Sequence, residues 1–331
     1  MTSVLYLGPE DVEDLATPGE FVYAVRDAYR QRGQGAPAKP RTTLRNEDPP
    51  GMFTGYQAIL PETGMGGYMY SAGFADSDAW FLAPLFDPET GDLLALVDGA
   101  WMNPYKTGAT GAVAVDALAR EDAASLAVLG SGPQARGQVR ATATVRDLET
   151  VWVYSPTKSH RESFAAEFNE RLDAAVAAVS SSGAAVEDAD IVITATSSHE
   201  PVFDGDNLAD GAHVTAMGQY HPDRREVDTS TVARATYIPD LRERVFQDAG
   251  AFLHAKAEGA VDDSHIHAEL GDVVAHEAPG RTDAEEITLF DSGGTAIETV
   301  AGARLLYEKA TEAGLGTELE WSPASESLTG R

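Results

Sequence analysis

The segment Ser125-Leu126-Ala127-Val128-Leu129-Gly130-Ser131-Gly132-Pro133-Gln134-Ala135 joins an apolar run to a small-residue turn, and a helix-compatible stretch follows through Val145. Gly-x-Gly-x-x-Ala between a strand and a helix start is suited to holding a pyrophosphate. The missing side chains let the backbone approach the phosphates, and the helix N-terminus presents N–H donors to them. Gly130, Ser131, Gly132, Pro133 and Gln134 are therefore expected to contact a dinucleotide. Such residues alone also fit a tight strand-to-helix turn without a ligand. The next apolar run, Thr150-Val151-Trp152-Val153-Tyr154, falls where the second strand of a βαβ unit belongs.

The end of that second strand distinguishes the two nicotinamide cofactors. An Asp or Glu there accepts hydrogen bonds from a ribose 2′-OH. This chain reads Tyr154-Ser155-Pro156-Thr157-Lys158-Ser159-His160-Arg161, and its first carboxylate is Glu162. Hydroxyls at Ser155 and Thr157 with cations at Lys158 and Arg161 suit a 2′-phosphate, so NADP(H) is expected in preference to NAD(H). The same cations also fit the solvated start of a surface helix.

Such a loop needs a sheet to hold it. Further parallel strands are expected at 177–179, 191–195, 213–217, 236–239 and 287–290, with helical or turn segments between them. Residues 1 to about 115 read differently, as strand-like segments at 41–45, 52–60, 67–72, 81–87 and 93–98 separated by Gly and Pro turns, an antiparallel region. A small-residue helix at 107–119 leads into the nucleotide domain, and a last helix at 295–313 has apolar residues at helical spacing. The expected architecture is α/β. A Rossmann domain occupies 116–291, and a second α+β domain for substrate binding and dimerisation is made from both chain ends, 1–115 and 292–331.

Composition narrows the function. Among 331 residues, 53 are acidic and 24 basic, a net charge of −29 spread along the whole length. That distribution looks like adaptation to high salt, where screening relieves self-repulsion, and it offers no basic stripe for nucleic acid. The absence of cysteine excludes disulfides, thiolate metal sites and cysteine nucleophiles. The N-terminal MTSVLYLGPEDVEDL lacks a basic n-region and an apolar h-region, and no apolar run reaches membrane-spanning length, so a cytoplasmic protein without membrane contact is expected.

Several motifs together resemble the ornithine cyclodeaminase/mu-crystallin family. They are GSGPQA, Asp190-Ile191-Val192-Ile193-Thr194-Ala195-Thr196-Ser197-Ser198, Gly211-Ala212-His213-Val214-Thr215-Ala216-Met217-Gly218, Lys106-Thr107-Gly108-Ala109, Glu269-Leu270-Gly271-Asp272 and Phe290-Asp291-Ser292-Gly293-Gly294-Thr295. The resemblance implies a homodimer, NAD or NADP as cofactor, and hydride transfer between nicotinamide and the α-carbon of a small amino or imino acid. Alanine dehydrogenase and ketimine reductase activities fall in this class. It leaves two alternatives: an ornithine cyclodeaminase-like lyase that recycles its NAD, and a crystallin-like cofactor-binding protein with little catalysis. It also implies cofactor contacts at Thr107, Thr196, Met217, Gly218 and Gly294.

For the substrate, the resemblance assigns Arg41 to the carboxylate, which a guanidinium clamps with two hydrogen bonds. It assigns Asp240 to proton transfer, and the carboxyl end of a strand, where α/β folds place ligands, is an apt location for that role. Two departures stand out: Tyr68 occupies the position where the family usually carries lysine, and Lys106 occupies that of an arginine. Lys106 is expected to help hold the carboxylate, and Tyr68 to fill the lysine's place as a hydrogen-bond donor or acid. Pro49-Pro50-Gly51 stands where ornithine-specific members place a carboxylate, which weighs against ornithine. His265-Ile266-His267 lacks a third ligand at a recognised spacing, so no metal is expected.

Overall fold

The computed structural model describes residues 2–74 and 78–329. The chain divides into two compact units, Met1–Lys106 with Thr295–Arg331, and Thr107–Gly294.

The first unit is a seven-stranded sheet in the order β14-β1-β6-β5-β4-β3-β2. Its strands are β1 (Thr2–Leu7), β2 (Thr42–Glu47), β3 (Pro50–Leu60), β4 (Gly64–Ala72), β5 (Trp80–Phe86), β6 (Leu93–Asp98) and β14 (Thr317–Trp321). Strands β2 to β6 form an antiparallel meander. The region is not wholly antiparallel as its sequence suggests, because β1 pairs in parallel with β6 and antiparallel with β14. A parallel neighbour needs a crossover. Here a helix absent from the sequence reading, Pro18–Gly33, stands between β1 and the meander. Its start is written locally: Thr17 and Glu20 form a capping box around Pro18. Phe21, Val22, Val25, Ala28 and Tyr29 then give it one buried face. The helix Ala296–Ala313, capped in the same way by Thr295 and Glu298, packs on that helix and across β3 to β5.

Alternation along β3 and β4 sorts their side chains onto two faces. Tyr56, Tyr68 and Tyr70 are buried on one face, with Tyr56 directly opposite Tyr68. Phe53 and Met69 lie on the other and are exposed, as are Leu44, Trp80 and Leu82 on the adjoining strands.

The second unit is an all-parallel sheet in the order β12-β13-β11-β10-β7-β8-β9. Its strands are β7 (Ser125–Leu129), β8 (Thr150–Tyr154), β9 (Ala175–Ala178), β10 (Ile191–Thr194), β11 (His213–Ala216), β12 (Thr236–Pro239) and β13 (Thr288–Asp291). The order reverses between β7 and β10, as in the Rossmann fold. Strands buried on both faces read as continuous apolar runs, and β10 and β13 are buried at every residue.

The helix Gly99–Leu118 carries the chain from one unit into the other and starts earlier than its small-residue pattern suggests. Its first part belongs to the first unit, where Tyr105 stacks on Phe21. In its second part a Cβ on Gly108 would lie 2.3 Å from the Gly137 carbonyl. Only glycine there lets the helix Pro133–Thr142 approach so closely.

Candidate active site

In the first unit, five buried side chains form an ionic and aromatic group. Lys106 is 1% exposed, and its Nζ lies 3.6 Å from Glu298 Oε1 and 4.9 Å above the centre of the Tyr68 ring. The Arg41 guanidinium lies 5.6 Å from the centre of the Tyr56 ring. Tyr56 and Tyr68 are themselves in contact, with centroids 5.5 Å apart. Burial pushes the Lys106 amine below its ordinary range, Glu298 pulls it back, and Arg41 adds to the lowering. Two buried cations and a carboxylate thus lie in a dry, aromatic setting, one suited to an incoming carboxylate.

Tyr68 is held at its hydroxyl and over its ring face. Its hydroxyl donates to the Gly99 carbonyl at 2.7 Å, and its ring face supports Lys106. Space is part of the reason, since a Cβ on Gly99 would lie 2.4 Å from the Tyr68 ring. Sequence reasoning missed Glu298 and Tyr56. The capping-box spacing from Thr295 locates Glu298 on its helix but says nothing of Lys106.

In the second unit, the turn after β7 is built for an anion. Gly130 has φ of +127°, and a Cβ there would meet the Ala195 carbonyl at 2.3 Å, so glycine is required. Gly132 is the opposite case, with nothing within 4 Å of where its Cβ would be. It is the N-cap of the helix Pro133–Thr142, which has no side-chain cap and no acidic residue in its first turn. Beside it, Gln134 Oε1 is buried without a hydrogen-bond partner. An open approach, an uncapped helix start and an orphaned acceptor fit a dinucleotide whose phosphates face the helix. Gln138 Nε2 donates to the Thr107 carbonyl at 2.8 Å and to Met217 Sδ, which brings two of the expected cofactor residues to one side chain.

At the end of β8, Arg161 Nη1 donates to the Ser155 carbonyl at 2.8 Å and to Pro156 at 3.3 Å, and its guanidinium lies 5.9 Å from the Tyr154 ring centre. The Ser155 hydroxyl donates to the Thr157 carbonyl at 3.3 Å. Lys158 is exposed, 3.6 Å from Glu162. The two cations therefore differ: Arg161 is folded onto the loop, and Lys158 points into solvent.

Asp240, just past β12, is fully buried and heavily used. Oδ1 accepts from Leu241 N at 2.7 Å and Arg244 Nε at 2.6 Å. Oδ2 accepts from Gly293 N at 2.8 Å, Gly294 N at 3.1 Å and Ser292 Oγ at 3.3 Å. Arg244, missed in the sequence, also donates to Asp248 at 3.0 Å and to Asp291 Oδ1 at 2.6 Å. Tyr237 donates to the remaining Asp291 oxygen at 2.7 Å. Burial pushes the Asp291 carboxyl up, against the pull of Arg244. The carboxylate clasps the Ser292–Gly294 turn to the end of β12.

His265 and His267 do not converge, since their Nε2 atoms meet the Val232 and Pro279 carbonyls respectively. A 3-10 turn at Asp263–His265 precedes His267.

A parallel sheet with this order, a glycine turn open to phosphates and a helix start free of side-chain caps define a dinucleotide-binding α/β protein. A model of the ornithine cyclodeaminase/mu-crystallin family matches residues 9–314, and the chain belongs to that family. It is 35% identical over 238 residues, 72% of this chain and 73% of the relative, to a Delta(1)-pyrroline-2-carboxylate reductase of Bacillus cereus. Among solved structures, the Thermococcus litoralis Delta(1)-pyrroline-2-carboxylate reductase in complex with NADH and L-proline matches with a TM-score of 0.90 and 34% identity, covering 96% of this chain and all of that one. An archaeal alanine dehydrogenase dimer with bound NAD matches with a TM-score of 0.90 and 28% identity, covering 97% of this chain and 100% of that one. No helix among the described residues is long and apolar enough to cross a membrane.

Proposed function

We propose that this protein is an NAD(P)(H)-dependent oxidoreductase that moves a hydride between nicotinamide and the α-carbon of a small amino or imino acid. The observation that carries this reading is the two buried cations Arg41 and Lys106 set against the Tyr56 and Tyr68 rings, in a chain whose other unit has the open Gly132 turn. The cofactor, when bound, supplies or accepts the hydride. Gly130 to Gln134 hold its phosphates, with Thr107, Thr196, Met217, Gly218 and Gly294 lining the rest. Arg41 and Lys106 bind the substrate carboxylate. As the new C–H bond forms at the α-carbon, the C=N π pair moves to nitrogen, which keeps or takes a proton.

Two groups are candidates to supply that proton. The Asp240 carboxylate already accepts five hydrogen bonds, whereas Lys106 is a buried ammonium held below its ordinary pKa. We assign the proton to Lys106 and the holding of the Gly293–Gly294 turn to Asp240. Tyr68 is then a platform that positions Lys106, and a small cyclic imino acid such as a pyrroline carboxylate suits the aromatic surroundings. NADP(H) is the preferred cofactor, on the strength of Ser155, Thr157, Lys158 and Arg161. The exposed apolar face of Leu44, Phe53, Met69, Trp80 and Leu82 is the surface on which a second copy of the chain docks, forming a homodimer.

The test is a screen in molar KCl that follows the near-ultraviolet absorbance of reduced nicotinamide. NADPH and NADH are each offered with a cyclic imino acid, with pyruvate plus ammonia, and with ornithine. Stoichiometric oxidation of NADPH by the cyclic imino acid is expected. Ornithine consumption without net cofactor turnover would make the protein a lyase, and binding without turnover on any substrate would leave the crystallin-like reading.

A further inference from the structure

Glu226 takes no part in the chemistry above, yet it is a buried acid at the carboxyl end of the parallel sheet, 3% exposed. Its Oε1 accepts the backbone N–H of Thr196 at 2.6 Å. Its Oε2 accepts the backbone N–H of Gly218 at 2.6 Å and the Thr194 hydroxyl at 3.0 Å. Thr194 ends β10 and Gly218 lies just beyond β11, so one side chain ties two adjacent strand ends together. A Cβ on Gly218 would lie 2.4 Å from both Glu226 Oε1 and the Thr196 carbonyl, so this approach depends on glycine.

These donors are all neutral, and the two backbone bonds are as short as bonds to ionised acceptors. Burial pushes the carboxyl above its ordinary range, and the Thr196 side chain together with these donors opposes that shift. Neutral donors stabilise a carboxylate without cancelling its charge. In open α/β sheets the ligand lies beyond the carboxyl ends of the strands at the switch point, and β10 borders that point here. Nicotinamide differs between its two forms in one relevant respect: the ring is cationic when oxidised and neutral once it has received a hydride.

We propose that Glu226 is a positioning residue that biases the nicotinamide couple toward its oxidised form, by fixing the ends of β10 and β11 and keeping an uncancelled negative charge beside them. The inference rests on the oxidoreductase reading above. Nicotinamide, when bound, would supply the hydride with both its electrons to the substrate carbon and be left with a positive charge, for which Glu226 would be a fixed anion that needs no reorganisation.

Calorimetric titration of the oxidised and reduced cofactor into the wild-type protein and E226Q tests this without turnover. The expected result is a selective weakening of the oxidised form, so that the preference for oxidised over reduced falls by roughly tenfold, the scale of one unit charge several ångströms away at intermediate dielectric. A purely structural role weakens both forms by the same factor, and an unchanged ratio overturns the proposal. Should E226Q fail to fold, the wild-type protein decides: the oxidised form is expected to bind at least as tightly as the reduced, and a more than tenfold preference for the reduced form overturns it. If neither form binds, the oxidoreductase reading falls with it.

Discussion

The two units each bury a cluster of charges, and the clusters differ in their surroundings. In the first, Arg41 and Lys106 lie against aromatic rings, with Glu298 beside Lys106. In the second, one guanidinium, Arg244, meets Asp240, Asp248 and Asp291. Burying charge is costly unless it is paired and hydrogen-bonded. The second cluster meets that cost from within: Arg244 donates to all three acids, and Asp240 and Asp291 take further bonds from backbone N–H groups and Tyr237. The first sets its cations against ring faces, a setting suited to an anionic ligand. A buried cluster closed by its own hydrogen bonds builds the scaffold, and one lined by aromatic rings suits binding.

The comparison can be broken most forcefully at Arg244. Arg244→Met leaves three buried carboxylates without their shared cation, and a loss of about 3–5 kcal/mol is expected, read by chemical denaturation. A loss below about 1 kcal/mol would mean that the cluster is not what holds these elements.

Next comes Lys106. Lys106→Met should lower kcat/KM by roughly 100-fold or more while cofactor affinity is unchanged. Imine reduction needs the protonated amine, so activity is present below the Lys106 pKa and lost as pH rises through it. Lys106→Arg keeps the cation and should abolish that limb of the profile while sparing substrate binding. Asp240→Asn, in contrast, should lower the melting temperature together with any loss of rate. A pure loss of turnover at unchanged stability would return the proton to Asp240.

A third buried group, His213, sharpens the contrast, because it is held neutral rather than paired with an acid. Its ring nitrogens meet the Thr288 and Thr215 hydroxyls, each at 2.9 Å, and burial pushes it down to about 3 from 6.5. Between those values the unfolded chain binds the proton and the folded one does not, so stability rises with pH through this window. Denaturation at pH 5 should show about 2 kcal/mol less stability from this site than at pH 7.5. His213→Gln should remove that part of the slope.

The smallest effect concerns charges outside both clusters. If the −29 surplus is surface self-repulsion, raising KCl from low to molar concentration should lift the melting temperature by several degrees, roughly 1 kcal/mol. A flat curve would remove the halophilic reading and leave the buried clusters untouched.

What was legible in the sequence follows from range. The Gly130 turn announces itself because its chemistry lies within six residues, and the small residues it requires are all in sight. Strand β6 matches its pattern residue for residue, because its boundaries are set by a Gly-containing turn on one side and a glycine on the other. Arg41, Lys106 and Asp240 were singled out by resemblance to the family, not by local pattern. Arg244 was missed although it stands four residues after Asp240, a helical ion-pair spacing, because its other partner Asp291 is distant in sequence. Glu226 is hidden for the same reason, tied to the end of β10 at 32 and 30 residues' distance in sequence. The helix Pro18–Gly33 escaped attention despite its capping box, and the parallel pairing of β1 went with it.

The burial of Lys106 makes it the odd one among only five lysines, the others being Lys39, Lys158, Lys256 and Lys309. Amine-directed acylation of the native protein should therefore reach the other four lysines and spare Lys106, detected by mass, leaving it as a clean reporter. With its pKa depressed, that amine is a strong nucleophile wherever a reagent can reach it. The rate at which this one site is modified, with and without a carboxylate ligand, measures occupancy of the pocket before any substrate is known.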